Sequence, residues 1–107
     1  YARSFVKQRG KHKKLSRTAL RRELKERGIT GELAEDALAA RTDEDERQDA
    51  AELVRKKLRP FMNFSDRTEK EKIMRRQVGL LARQGYSSSV AFSVVKEEIE
   101  RYRSEQE

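Results

Sequence analysis

LKERGITGELAEDAL, residues 24–38, decides the fold. Gly28 stops one helix, Ile29 is an apolar residue at the turn, and Thr30 stands where the next helix needs an N-cap. Leu33, Ala34, Ala37 and Leu38 then recur at helical spacing and are expected to face inward. LARQGYSSSVAFSVV, residues 81–95, repeats this grammar after a shift of 57 residues. Leu24 falls on Leu81, Gly28 on Gly85, Ile29 on Tyr86 and Thr30 on Ser87. Leu33, Ala34, Ala37 and Leu38 fall on Val90, Ala91, Val94 and Val95. A helix stop, an apolar residue, an N-cap and an apolar pair per turn therefore occur twice, as in a tandem array.

Outward from these turns, helix signals continue and strand signals are nearly absent. Ala2, Phe5 and Val6 share one face of a first helix. Ser16 caps a second, which buries Leu20 and Leu24. The acidic TDEDE, residues 42–46, opens a fourth helix at the end where the helix dipole favours negative charge. That helix buries Ala50, Leu53, Val54 and Leu58 and ends at Pro60. Residues 61–66, FMNFSD, form a loop whose Phe61 and Phe64 tuck under the bundle. A fifth helix starts at Asp66 or Arg67, carries Ile73, Val78, Leu80 and Leu81, and runs to Gln84, where Gly85 ends it. Ser87 caps a sixth that buries Val90, Ala91, Val94, Val95 and Ile99. The expected fold is all-α: six helices as two tandem three-helix repeats in an elongated array, residues 1–41 and 42–107.

The composition narrows the function. Of 107 residues, 42% are charged and 35% hydrophobic, so the core is thin. There is no cysteine, hence no disulfide and no thiolate metal site. No apolar run approaches the roughly 20 residues of a membrane span, no signal peptide is visible, and a cytoplasmic location is expected. The formal net charge is +7, and it is blocked. Residues 1–28 carry +9, residues 29–53 carry −7 and residues 54–107 carry +5. An anionic partner, or one with an acidic face, fits this balance.

Two helices joined by a glycine turn suggest a helix-turn-helix DNA reader, but the helix after the turn argues against it. Its exposed side chains include Glu32, Glu35 and Asp36, which phosphates repel. Its counterpart, SSSVAFSVVKEE, offers no base before Lys96. The turn is architecture, and the positive charge sits on the helices before it. Arg3, Lys7 and Lys11 stand four apart on the first helix; Arg17, Arg21 and Lys25 do so on the second. Like charges at this spacing destabilise by about 0.2–0.5 kcal/mol per pair. Arg22 has relief from Glu26 and Arg27 from Glu23, whereas the Arg17–Arg21–Lys25 stripe has none in its own helix. An external anion, or an acidic patch elsewhere in the fold, is expected to meet these stripes. Lys72 and Arg76 repeat the pattern more weakly beside Glu69 and Glu71.

Catalytic signatures are missing. His12, the only histidine, sits in KHKK and reads as a surface residue. There is no phosphate loop and no Ser/His/Asp set, and the acidic run lacks the spacing of a calcium loop. The expectation is a non-enzyme without cofactor or metal.

The ordered set YARSFVKQRG, SRTALRRELKERGITGELAEDAL, AAELVRKKL and RRQVGLLARQGYSSSVAFSVV resembles the bacterial RecX family across nearly the whole chain. The resemblance implies tandem three-helix repeats, commonly three. Residues 1–41 then correspond to the second and 42–107 to the third, and an N-terminal repeat would be missing. It also implies a regulator that lies along the RecA filament and restrains recombination and co-protease activity, with DNA bound by some members. A monomeric, non-catalytic modulator of a recombinase filament is the leading expectation. A direct nucleic-acid-binding module using backbone contacts is the alternative, and a membrane-surface protein ranks last.

Overall fold

The structure, a computed structural model, describes residues 1–58 and 66–106, with side chains for all of these except His12 and Gln106. Six helices follow one another: α1 Ala2–Lys13, α2 Arg17–Glu26, α3 Gly31–Leu38, α4 Asp43–Lys57, α5 Arg67–Arg83 and α6 Ser88–Gln106. No strand occurs among the described residues. Helices α1–α3 pack on one another and α4–α6 do the same, which gives two three-helix units in a body of 48 × 21 × 18 Å. The expected positions of Pro60, Phe61, Phe64 and the His12 side chain lie outside the described residues.

Each unit has its own core. Val6, Leu20, Leu24, Ala34, Ala37 and Leu38 form the first, with Ala2, Phe5, Leu15 and Ile29 against it. Ala50, Val54, Ile73, Leu81, Tyr86, Ala91, Val94, Val95 and Ile99 form the second. A fully buried aliphatic side chain contributes about 1.5–3 kcal/mol, and Leu20, Leu24, Val54, Leu81 and Val95 are wholly inaccessible. Ion pairs clamp α4 to α6: Arg55 forks onto the buried Glu98 at 2.9 Å, and Arg47 reaches Glu97 at 3.2 Å.

The repeat is real in three dimensions. Gly28 (φ 78°) and Gly85 (φ 94°) both take the left-handed position one residue past the helix cap. In the first turn the Ile29 amide donates to Leu24 O and the Gly28 amide to Lys25 O. In the second the Tyr86 amide donates to Leu81 O and the Gly85 amide to Ala82 O. Both are Schellman turns, each closed by a hydrophobic residue over the last apolar residue of its helix. The caps follow the sequence as well. Ser16 Oγ accepts from the Ala19 amide, Thr42 and Asp45 form a reciprocal capping box, Asp66 caps α5 and Ser87 Oγ accepts from Val90.

Two local expectations need correction. Thr30 occupies the N-cap position of α3, yet its side chain makes no capping bond. Leu33 does not face inward and is 71% exposed. Ala34, Ala37 and Leu38 define the buried face of α3, and at about 100° per residue Leu33 projects roughly 90° away from it. Its counterpart Val90 is half-buried because Ser16, Arg17 and Thr18 of the first unit border the same hollow. Gln77 is also buried, at the place that Leu20 holds in the first unit.

A basic surface divided by internal pairing

The junction between the units settles the fate of much of the charge. The second Schellman turn docks on the start of α2, where the Ser16 amide donates to Gln84 O at 3.0 Å. The Tyr86 hydroxyl donates a hydrogen bond to the Lys14 carbonyl at 2.6 Å. Burial is the main cause that pushes the Tyr86 phenol up to about 12, so it stays a donor at neutral pH. Lys14 ends α1 with φ 54°, an uncommon conformation for a side-chain-bearing residue. Its ammonium is held by Glu52 at 2.7 Å and Asp49 at 3.6 Å, and the bond to Glu52 keeps its pKa raised. Arg41 lies buried across the seam. It donates to Leu15 O at 3.0 Å, pairs with Asp49 at 2.8 Å and reaches Tyr86 Oη at 3.5 Å.

The α2 stripe finds its relief inside the fold. Arg17 donates from its backbone amide (2.6 Å) and its Nε (3.0 Å) to Glu46, and its guanidinium also meets Asp43. The acids that open α4 thus neutralise the first residue of the stripe while sitting at a helix N-terminus. Arg21 forks onto Glu35 of α3 at 2.8 and 3.2 Å, and this bond holds the Glu35 carboxyl below its usual range. Lys25 is exposed, and no carboxylate among the described residues pairs with it.

The expected relief within α2 is not what forms. Glu23 pairs with Arg9 of α1, which depresses the Glu23 pKa, and Arg27 instead lies 4.5 Å over the Phe5 ring. Arg22 and Glu26 make no ion pair. Side chains on one helix compete with those of its neighbour, and Arg9 reaches the carboxylate with two nitrogens.

Arg3, Lys7 and Lys11 remain together and unpaired among the described residues. They line one wall of an open groove of about 450 Å³. Val6, Ala37 and Ala40 form its apolar part, and Asp45 and Asp49 its far side. Those two acids are engaged already, Asp45 with its own helix cap and Asp49 with Arg41 and Lys14. Lys72 and Arg76 are exposed on α5, away from that groove's lining. The expected stripes therefore divide: α1 keeps three free cations over an apolar floor, α2 spends two of three internally, and α5 keeps its own. Arg41 and Tyr86 organise the seam; the sequence matched Tyr86 to Ile29 as the apolar residue of a turn but gave no sign of its bond to Lys14 or of the role of Arg41. Among the described residues there is no group of three metal-ligating side chains, and no helix is long and apolar enough to cross a membrane.

Comparison with known proteins agrees with this architecture. The family model described as RecX, second three-helix domain, matches residues 1–38. The chain is similar to the regulatory protein RecX of Amycolatopsis mediterranei, 41% identical over 98% of this chain and 58% of the relative. It is similar to that of Streptomyces coelicolor, 35% identical over 94% of this chain and 51% of the relative. With the Mycolicibacterium vanbaalenii protein it shares 38% identity over 92% of this chain and 55% of the relative. The chain thus spans a little over half the length of these relatives. No solved structure matches it. The similarity runs through both three-helix units: the first matches the second three-helix domain of RecX, and the chain as a whole is similar to proteins named regulatory protein RecX.

Proposed function

We propose that this chain acts as a non-catalytic, cytoplasmic regulator that docks on the RecA filament and restrains it, and that α1 supplies the contact. Residues 1–41 and 42–107 would serve as the second and third repeats of the family pattern, working as a monomer. One observation carries the assignment of the face: Arg3, Lys7 and Lys11 stand unpaired beside Val6, Ala37 and Ala40, while Arg17 and Arg21 are consumed by the fold. Cations rimming an apolar floor suit an acidic protein surface with an apolar anchor, since protein interfaces join an apolar core to a charged rim. Arg17 and Arg21 are accordingly removed from the contact face, and Lys25 is left as a minor contributor.

The test is inhibition of RecA-driven strand exchange. Arg3→Ala, Lys7→Ala and Lys11→Ala together should abolish most of the inhibition while thermal stability holds, because none of the three is paired in the fold. Inhibition equal to wild type in the folded triple variant overturns the assignment. A second reading, direct contact with nucleic-acid phosphates, is supported by α5, whose outward cations are also unpaired among the described residues.

A further inference from the structure

At about 100° per residue, α5 turns Ile73, Gln77 and Leu81 to the core and a strip of Thr68, Lys72, Arg75, Arg76, Gly79 and Arg83 the opposite way. Lys72, Arg75, Arg76 and Arg83 are exposed, and none is paired among the described residues. Arg9, Arg17, Arg21, Arg41, Arg47 and Arg55 each hold a carboxylate, whereas Arg3, Arg22, Arg27 and Arg103, like the arginines of this strip, hold none among the described residues. Glu69 and Glu71 border the strip, but neither pairs with Lys72, Arg75 or Arg76 among the described residues. Lys72 stands one turn from both Arg75 and Arg76, an arrangement that weakens a helix.

Gly79 lies near the centre of this strip and adds an independent observation. Glycine is among the poorest residues for a helix interior. Among the described residues nothing lies within 4 Å of the place where its Cβ would be, so no packing among them requires its absence. The helix thus carries two local penalties on one face, a like-charge cluster eased only by Glu69 and Glu71 at its borders and an interior glycine, the pattern expected where a surface serves a partner. A bare backbone flanked by cations lets a partner chain approach the helix closely.

We infer that this face of α5 seats the sugar-phosphate backbone of a nucleic acid, without sequence readout. The composition decides between partner classes. The core of a protein interface is apolar with charge depleted, whereas one turn either side of Gly79 stand Arg75, Arg76 and Arg83 with only the small Ala82 among them. A face dominated by arginine and lysine is the kind that contacts phosphates. From Lys72 to Arg83 the helix rises about 16 Å, the length of roughly five nucleotides of one strand. The inference deepens the second reading above and stands or falls without RecA.

Fluorescence anisotropy with a labelled 30-nucleotide single strand and its duplex, in a salt series and with no recombinase present, tests it. Arg75→Gln with Arg76→Gln should flatten the slope of log affinity against log salt by about 1.4 for single strands and about 1.8 for duplex. A control that removes two charges from α6, Arg101→Gln with Arg103→Gln, should leave the slope nearly unchanged. Gly79→Ala should raise the melting temperature, by about 4–8 °C if the domain behaves as a single unit, yet weaken binding severalfold. That opposite movement separates a lost contact from a lost fold. Absence of binding by the wild-type protein at low salt, equal slopes for the two double variants, or full affinity in Gly79→Ala would overturn the inference. So would α5 variants that keep DNA but release polyglutamate, which would assign the face to an acidic protein.

Discussion

Gly28 and Gly85 are equivalent in sequence and in backbone, yet their surroundings differ, and alanine at each should cost different amounts. Both residues have positive φ, so alanine at either forfeits about 1–2 kcal/mol of conformational preference. At Gly28 that is the whole cost, because among the described residues nothing lies within 4 Å of an added Cβ. At Gly85 the new methyl would collide with Ser16 Oγ, lie 2.6 Å from Ala19 Cβ and 3.1 Å from the Ala19 amide nitrogen. Carbon atoms at optimal contact stand about 3.5–4.0 Å apart, so the seam must open by about 1 Å. Overpacking of this kind costs about 1–3 kcal/mol. Gly28→Ala should therefore lose about 1–2 kcal/mol in urea unfolding, and Gly85→Ala about 2–5 kcal/mol. The extra loss should shrink when Ala19→Gly is added to Gly85→Ala, a coupling that a double-mutant cycle reads directly. Equal losses at the two glycines, or no coupling to Ala19, would refute the docking of the second turn on α2.

Three further outcomes follow from the seam and the surface. Tyr86→Phe leaves the Lys14 carbonyl without its donor and should destabilise by about 1–2 kcal/mol at neutral pH. The Tyr86 phenol is raised in the folded state, so its contribution is full below pH 10 and lost as pH rises toward about 12; the gap between wild type and Tyr86→Phe should close over that window in pH-dependent unfolding. Arg17→Ala takes a charged donor from Glu46 across the seam and should cost about 1–2 kcal/mol in thermal melts, whereas Lys25→Ala should stay within about 0.5 kcal/mol of wild type. Equal costs for the two would mean that the Arg17 pairs with Asp43 and Glu46 contribute nothing.

The parts of the fold that depend on neighbours in the chain were legible in the sequence. Schellman turns, N-caps and helical periodicity are local, and Gly28, Gly85, Ser16 and Ser87 declared them, whereas the Thr42 capping box went unread within the acidic run. Burial of Leu24 and Leu81 followed from the same repeat. Leu33 misled because hydrophobicity alone does not fix an angle on a helix; its residue type agreed with Ala34 and Leu38, but its direction did not. The pairing of charges was beyond local reading. Arg17 finds Glu46 on another unit, Arg21 finds Glu35 across a turn, and Arg9 takes the Glu23 that sequence spacing offered to Arg27. Such choices depend on how helices cross. The stripes were visible as stripes, but which of their cations stay free could be known only once the helices were packed.

The most direct test of the functional account is co-sedimentation with RecA filaments preassembled on single-stranded DNA. Wild type, the Arg3→Ala/Lys7→Ala/Lys11→Ala triple variant and the Arg22→Ala/Lys25→Ala/Arg27→Ala triple variant should be compared at one moderate salt concentration. Wild type should pellet with the filament, the α1 variant should stay in solution, and the α2 variant should pellet nearly as wild type does. Wild-type protein that stays in solution, or an α1 variant that pellets as fully as wild type, would contradict the account.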